Sequence, residues 1–318
     1  CAYSCKYGGD CLCGIKNERL MAAINSISEV VDNEILGRMR NYFFRKTPSQ
    51  TTTIGIWFDL AMSPGMPTPK YWFDAAPLVA KAIYQSTDGG FFHGANVSPG
   101  EKYLRSLMVG AHSTSTTNTS PINAVLMDYL LYYPSIDDGT LDEQVMDNTV
   151  TLPRYTDGEG VQMMAVTTGL RTGGQSFSVK YTNQDGVTGK VSPTVIQNAA
   201  AFIGSITNSD RAISGSASWM IPLADGDTGV RAVESVTMNG VDVGLFSIIL
   251  VKPLGQICFR ESQISTAGTI NTPNEKDFLL YGQMPRIYDD AYLNMVVLPQ
   301  ASLATTILGG TLKVIWTQ

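Results

Sequence analysis

Beyond residue 148, two runs of the chain have an apolar residue at every second position. Every second position is apolar through much of Val161–Thr167 and Val230–Val236, and a glycine-containing turn follows each run. A period of two residues is typical of a β-strand that buries one face. Several such runs separated by turns favour antiparallel sheets over a parallel α/β fold. The pattern therefore predicts that residues 151–318 form an antiparallel β-sandwich or jelly-roll-like domain.

A phrase of similar composition occurs three times in this half of the chain. Each copy has an apolar residue and a proline, then an acidic turn, then a segment rich in β-branched residues. The copies are Leu152–Val161, Ile221–Val230 and Met284–Leu293. Proline at a strand entrance removes no hydrogen bond from the ladder. The repetition predicts three related β-hairpin units.

Each predicted hairpin joins two alternating runs through a turn that is rich in Gly, Asn, Ser or Thr. The paired runs are Gly160–Thr168 with Ser176–Thr182, Val230–Met238 with Gly244–Val251, and Leu293–Leu298 with Gly310–Trp316. A further tight turn is expected at Asn183–Gly186, leading into Val187–Val191, because Asn and Gly favour turn geometry.

A helical period precedes the β region. The apolar residues Leu20, Ile24, Ile27, Val31 and Ile35 recur at steps of three or four, which predicts an amphipathic helix with its apolar face buried against protein. We expect this helix to run from Asn17, as its N-cap, to about Tyr42. It follows an arm, residues 1–14, that is rich in Cys and Gly.

The middle of the chain is predicted to be mixed. A strand is expected at Ile54–Phe58, two short helices at Pro77–Tyr84 and Pro99–Val109, and an exposed loop at Ser113–Ser120. Asn123–Tyr133 suits either a helix or a strand. The predicted organisation is mainly β, with a Cys-rich arm at 1–14, an amphipathic helix at 15–46, a mixed domain at 47–150 and the antiparallel β domain at 151–318.

Composition narrows the function classes. The net charge is −6, and charged residues make up 16% of the chain without forming a basic block, which argues against a nucleic-acid partner. The sequence has no apolar run near the roughly 20 residues that a membrane helix needs. The two histidines, His93 and His112, leave little for general-base chemistry near neutral pH. We predict no catalytic, cofactor-binding or metal-binding residues, and no cofactor.

Four cysteines in the first 13 residues give the strongest chemical pattern: Cys1, Cys5, Cys11 and Cys13. Disulfides within the arm or to another subunit are the favoured interpretation, because a short Gly-rich segment cannot build its own core. A zinc or iron site and free thiols are the alternatives, although one residue between Cys11 and Cys13 is tighter than usual zinc spacing. A lipid-modified Cys1 is a further alternative. Cys258 is expected to be a buried thiol.

Acidic turns raise the possibility of calcium. Asp157-Gly158-Glu159 and Asp225-Gly226-Asp227 look like fragments of calcium loops. Calcium needs six to eight oxygen ligands in one place, and neither fragment has the full EF-hand spacing. Turn geometry alone explains the Asp-Gly pairs, so we favour turns.

Virion structural proteins of tailed bacteriophages resemble this chain in four segments. These are FFHGANVSPGEKYL at Phe91–Leu104, DYLLYYP at Asp128–Pro134, LPRYTDG at Leu152–Gly158, and YTNQDG at Tyr181–Gly186. The likeness covers about residues 40–318 and implies a non-enzymatic particle component: a head decoration or cement protein, or a neck or tail element. It brings no functional residues with it. The Cys-rich arm departs from the family's pattern and suggests an added cross-linking device.

The leading hypothesis is a virion structural protein that decorates or cements a phage particle through subunit contacts and disulfides. Its partners would be copies of itself, most simply in a trimer, and major capsid or neck proteins. It would lie on the outer surface of the particle, and in the host cytoplasm during assembly. The alternative is a carbohydrate-binding or glycan-degrading β-protein of a tail or cell surface. Its candidate sugar platforms, for which core packing is the competing explanation, are Trp57, Tyr71, Trp72, Trp219 and Trp316.

Overall fold

The computed structural model describes residues 24–49, 52–113, 121–172, 174–198, 202–208, 218–263, 273–304 and 306–317. Two helices lie within these residues, α1 (Ile27–Ile35) and α2 (Gln85–Asp88). The strands in the same ranges are β1 (Met39–Lys46), β2 (Phe58–Asp59), β3 (Gly65–Met66), β4 (Lys81–Ala82), β5 (Lys102–Ser113), β6 (Pro121–Asp137), β7 (Gln144–Val145), β8 (Gln162–Thr167), β9 (Ser176–Asn183), β10 (Lys190–Val191), β11 (Val195–Ile196), β12 (Val230–Met238), β13 (Leu245–Gln263), β14 (Asn274–Asp277), β15 (Arg286–Ile287), β16 (Tyr292–Leu298) and β17 (Thr306–Trp316). The chain is therefore mainly β, as predicted.

The described strands form two sheets. The larger sheet has 12 strands, with the path β2-β16-β6-β13-β5-β17-β1-β3, while β14 and β15 pair with β5, β4 pairs with β6, and β8 pairs with β13. Pairing is antiparallel except where the end of β13 runs parallel to β5. The smaller sheet has five strands, with the path β10-β9-β12-β7 and β11 beside β9. Antiparallel sheets that pack on one another agree with the predicted β-sandwich-like class.

The long strands β6 and β13 organise the core. They pair from Leu245 opposite Asp137 to Arg260 opposite Pro121. One face of β6 packs into the core of the larger sheet, and its other positions pack against the smaller sheet and against a cluster around Trp72. A strand buried on both faces needs no alternation of apolar and polar residues. This explains why Asn123–Tyr133 also matched a helix, and the structure confirms the strand alternative.

The N-terminal helix is shorter than predicted. α1 has Ser26 as its N-cap, and its side chain accepts a hydrogen bond from the Glu29 amide. Gly37, at a φ of 72°, ends the helical segment, and β1 begins two residues later. The prediction of a helix that continues to Tyr42 was therefore wrong. Its proposed cap, Asn17, lies outside the described residues.

The predicted apolar face of this helix was also wrong in part. Ile27 is 69% exposed and Val31 47% exposed, whereas Val30 is 3% exposed and packs with Tyr103 and Ile315. The buried apolar position is thus Val30 and not its neighbour Val31, and the buried Asn33 lies beside it in the helix. Leu20 lies outside the part of the chain that the structure describes.

Two predicted helices in the middle region are strands or loops. Pro99–Val109 contains the start of β5, and Pro77–Tyr84 contains the short β4. The strand expected at Ile54–Phe58 begins only at Phe58. β5 buries residues on both faces. Apolar residues therefore occur at adjacent positions, and some of them are three or four residues apart, which is the spacing that predicted a helix.

All three predicted hairpins were wrong as pairings, although their strands exist. β8 pairs with β13 rather than β9, and β12 pairs with β9 and β7 rather than β13. β16 pairs with β6 and β2, while β17 pairs with β5 and β1. The tight turn at Asn183–Gly186 is present and leads to β10, which returns along β9. Strands of the predicted middle and C-terminal domains thus share the larger sheet.

Candidate functional site

The three repeated phrases meet in space. The Tyr155 ring of the first copy lies edge-on to the Tyr288 ring of the third, with their centroids 4.8 Å apart. On its other side, Glu159 forms a β-bridge with Gly229 of the second copy. The Glu159 carboxylate also accepts a hydrogen bond from the Thr228 hydroxyl at 2.9 Å. The first copy is therefore held between the other two.

Carboxylates in the acidic turns of the first two phrases accept hydrogen bonds from other groups of the protein. The Asp157 side chain accepts from the Glu159 amide at 3.1 Å. Asp227 accepts from the Tyr181 hydroxyl at 2.6 Å and from the Asn183 amide group at 2.8 Å. Among the described residues, no group of three or more His, Cys, Asp or Glu side chains is arranged to hold a metal ion. The carboxylates of these turns therefore hold neighbouring segments of the chain together.

A buried ion pair anchors the first phrase to β6. Arg154 donates from Nε to Asp128 Oδ2 at 2.8 Å and from Nη2 to Asp128 Oδ1 at 2.7 Å. Its guanidinium also donates to the carbonyl oxygens of Ile83, Tyr129 and Asp290. Burial raises the pKa of Asp128, and the Arg154 charge acts in the opposite direction. The pair and the carbonyls around it thus join four parts of the chain that are distant in the sequence.

His93 belongs to a second buried cluster. Its Nε2 lies 2.9 Å from the Ala291 carbonyl oxygen, and its Nδ1 lies 3.1 Å from Nζ of Lys102. The carbonyl requires Nε2 to donate, so Nδ1 accepts from the lysine. Burial and the Lys102 charge lower the pKa of His93 to about 4. The imidazole is therefore neutral near pH 7 and uses both nitrogens in holding the fold.

Asp289 completes this cluster from the third phrase. Its Oδ1 lies 3.0 Å from Nζ of the buried Lys102. Its carboxylate also accepts from the amides of Val97 and Ser98 at 3.2 Å. Burial lowers the pKa of Lys102, and Asp289 opposes that shift. The cluster therefore holds the loop before β5 against the third phrase.

Two of the candidate sugar platforms lie in the core. Trp72 is fully buried and donates from Nε1 to Asp59 Oδ2 at 2.6 Å, while the Tyr129 hydroxyl donates to Asp59 Oδ1 at 2.7 Å. Trp57 is also buried, and Trp219 and Trp316 are half-buried. Tyr71 is exposed and lies beside the exposed Phe73, with ring centroids 5.3 Å apart. The five aromatic residues thus do not form one surface.

The cysteines give a mixed result. Cys1, Cys5, Cys11 and Cys13 lie outside the described residues. Cys258 is exposed and is a free thiol, so the prediction of a buried thiol was wrong. Its neighbours Ile257 and Phe259 point into the core, and alternation along β13 turns Cys258 outward.

An apolar groove of about 360 Å³ crosses the outer face of β1, β17 and β5. Phe43, which is 71% exposed, and Met108 line the groove, and Gly309 leaves part of it without a side chain. The exposed residues Ile27 and Ile35 of α1, and Leu36 just after it, add apolar area, because α1 rests on the same sheet through Val30 and Ile315. This outer face is the candidate contact surface. Sequence reasoning missed it, because residues 39–42 were assigned to a helix.

Comparisons with known proteins identify no close relative. No family model matches the chain, and no curated protein does. Among solved structures, the chain is similar to the VP2 subviral particle of infectious bursal disease virus, with 10% identity, a TM-score of 0.16, and coverage of 88% of this chain and 80% of that one. A mutant VP2 in derived T=1 particles of that virus has 12% identity, a TM-score of 0.17, and coverage of 88% and 77%. Likeness at this level carries no argument about function.

No helix within the described ranges has the length and apolar character needed to cross a membrane.

Proposed function

We propose that this chain is a non-enzymatic structural protein of a virus particle that acts through contacts with copies of itself and with neighbouring particle proteins. The observation that carries the proposal is the outer face of β1, β17 and β5, with its groove and the exposed Phe43. Apolar residues that lie exposed together on one face are typical of interaction sites. An assembling subunit needs such a surface.

The residue types on this face support the same proposal. Aromatic residues, Met and Arg are enriched at protein interfaces, whereas Lys, Glu and Asp are depleted. The groove contains Phe43, Met108 and Arg45, and its described lining includes no Lys, Glu or Asp. A second groove of about 360 Å³ lies between α1 and residues 279–284, with Tyr103 in its lining.

The buried charged groups support a scaffold. Arg154 with Asp128, and Lys102 with Asp289 and His93, each link segments that are far apart in the sequence. Such networks, when their hydrogen bonds are satisfied, make a fold rigid and specific. A rigid body with an apolar outer face suits a particle component.

The finer parts of the proposal rest on the sequence. The resemblance to tailed-bacteriophage virion proteins favours a head decoration, cement or neck-associated role, with major capsid or neck proteins as further partners. We propose a position on the outer surface of the particle. We also propose disulfides from Cys1, Cys5, Cys11 and Cys13 as cross-links that persist outside the host, where thiols are not kept reduced.

Sedimentation of the full chain tests self-assembly. The proposal expects oligomers, most simply trimers, that grow with protein concentration and persist in reductant through the apolar contacts. A monomer at high concentration under both oxidising and reducing conditions would contradict it.

A second candidate function is glycan binding. The exposed rings of Tyr71 and Phe73, 5.3 Å apart and inclined by 35°, form an apolar aromatic surface on which a sugar ring could stack. A glycan array with the wild type and the variant Tyr71→Ala distinguishes the candidates. Binding that Tyr71→Ala abolishes would favour the glycan candidate, and an array without binding would favour the structural role.

A further inference from the structure

The outer edge of β1 is unpaired over most of its length within the described structure. β17 pairs with one side of β1 from Met39 to Lys46. On the other side, β3 reaches only Arg45 and Lys46. The segment from Met39 to Phe44 therefore presents a sheet edge, whose backbone groups are a template for another strand.

The ladder shows which backbone groups face outward. The Trp316 amide donates to the Arg38 carbonyl at 3.1 Å, so these two residues face each other as a hydrogen-bonded pair. Hydrogen-bonded and non-hydrogen-bonded pairs alternate along an antiparallel ladder. Met39, Asn41 and Phe43 consequently direct their N–H and C=O groups away from β17.

We propose that β1 of a second copy pairs antiparallel with this edge, about a two-fold axis at Asn41. In this register Asn41 faces Asn41 of the second copy, and the outward groups of Met39 meet those of Phe43. Every residue from Met39 to Phe43 then has a partner. The inference rests on the proposed function and names one two-fold contact between copies, which would join one trimer to the next and would not lie within a trimer.

The side chains fit this register. Met39 lies opposite the exposed Phe43 of the second copy, an apolar sulfur–aromatic pair. Arg40 lies opposite Tyr42, where a guanidinium can stack on a phenol ring. An axis at Arg40 would place two arginines opposite each other, which is unfavourable. An axis at Tyr42 would bring Met39 to Arg45, where β3 already occupies the edge.

The surroundings of the edge agree with a symmetric contact. Met39 and Phe43 are on one face of β1, and Val30 of α1 packs on the same face beside Met39 and Ile315. The two-fold axis brings the C-terminal end of α1 from one copy towards Phe43 of the other. The exposed Ile35 and Leu36 lie at that end. The contact would thus cover apolar residues that are exposed in the single chain.

Introducing a charge at Asn41 tests the axis, because this residue meets itself. Asn41 is exposed on the outer face, so substitutions there leave the body of the protein intact. We expect Asn41→Asp and Asn41→Lys each to weaken the association about tenfold, because like charges would face each other. Mixing the two variants should restore wild-type association as a mixed dimer. Asn41→Ser, which adds no charge, should associate like the wild type.

Sedimentation of the single variants and of their mixture gives the answer. Unchanged association of Asn41→Asp and Asn41→Lys, or no recovery on mixing, would overturn the inference while leaving self-assembly through another surface in place. A wild type that remains monomeric would overturn both the inference and the proposed function.

Photo-crosslinking identifies the occupant of the edge independently. Benzoylphenylalanine in place of Phe43, in a mixture of isotope-labelled and unlabelled full chain, should cross-link to the segment 38–44 of a different copy. Cross-links within one copy, or to residues 1–23 or another surface of a second copy, would contradict the two-fold contact.

Discussion

Arg154 and Asp128 form a bidentate ion pair in the core, with Nε–Oδ2 and Nη2–Oδ1 distances of 2.8 and 2.7 Å. Arg154 belongs to the first repeated phrase and Asp128 to β6, and the Tyr292 amide of β16 also donates to Asp128 at 3.1 Å. One carboxylate therefore ties the first and third phrases to the central strand. The repetition seen in the sequence marks the junction of the larger sheet with the segments around it.

Removing the charge of Arg154 should lower the stability of the folded protein. In Arg154→Met, the buried Asp128 keeps its desolvation penalty but loses its counter-charge, so we expect a loss of about 3–5 kcal/mol in the free energy of unfolding. Urea denaturation measures it. The control is Arg286→Met, which breaks a partly exposed ion pair with Glu101 and should cost less than about 1 kcal/mol. Equal losses in the two variants would show that the Arg154 pair is not a special anchor.

The neutral state of His93 predicts a pH dependence of stability. Its pKa is about 4 in the folded protein, against 6.5 as the ordinary value, so the unfolded chain binds more protons between these values. The contribution to stability is complete above pH 6.5 and falls as the pH drops towards 4, by up to about 1.4 kcal/mol per pH unit.

Urea unfolding of the wild type and of His93→Gln between pH 7.5 and 5.5 measures this contribution. We expect a steeper decline for the wild type below about pH 6.5, because glutamine does not titrate. Parallel curves for the two proteins would mean that His93 titrates normally in the folded state.

The attachment of α1 depends on Val30. In Val30→Asp, a charge would enter the contact with Tyr103 and Ile315, which we expect to detach the helix because burying an unpaired charge is strongly unfavourable. Hydrogen exchange should then become fast in residues 27–35. Ile27→Asp is the matched control, since Ile27 is 69% exposed, and should leave the exchange unchanged. Fast exchange in the control alone would reverse our assignment of the buried face.

These outcomes show what the sequence could and could not predict. β9 alternates buried and less buried positions, as a strand with one buried face does. β8 and β16 are buried on both faces, and the turn patterns before them indicated where they begin. β5 and β6 are buried on both faces, which removes the alternation and leaves a spacing that a helix also satisfies. Residues 39–42 were assigned to a helix because the apolar spacing continues past the helix end at Gly37.

The pairing of the strands could not be predicted from the sequence, for a different reason. The local turns predicted hairpins. In the structure β12 pairs with β9 and β13 pairs with β6, and more than 40 residues separate the strands in each case. Pairing over such distances depends on which buried faces match in three dimensions. The buried clusters around Arg154 and His93 could not be predicted either, because the residues in each cluster come from segments that are distant in the sequence.

The cysteine hypothesis gives a test of its own. Non-reducing gels of the purified oligomer should show a ladder of linked chains that collapses with reductant, if at least two of Cys1, Cys5, Cys11 and Cys13 form disulfides between chains. The exposed Cys258 could also link chains, so Cys258→Ser serves as the control and should keep the ladder. Four alkylatable arm thiols in the native protein, or one tightly bound zinc per chain, would exclude the disulfides.

Electron microscopy of the particles that carry this protein tests the central claim most directly. An antibody fragment against the turn at Asn183–Gly186, applied to intact purified particles, should mark a regular array on their outer surface. Particles that bind the antibody fragment at irregular positions and in substoichiometric amounts would contradict a structural role in the virion.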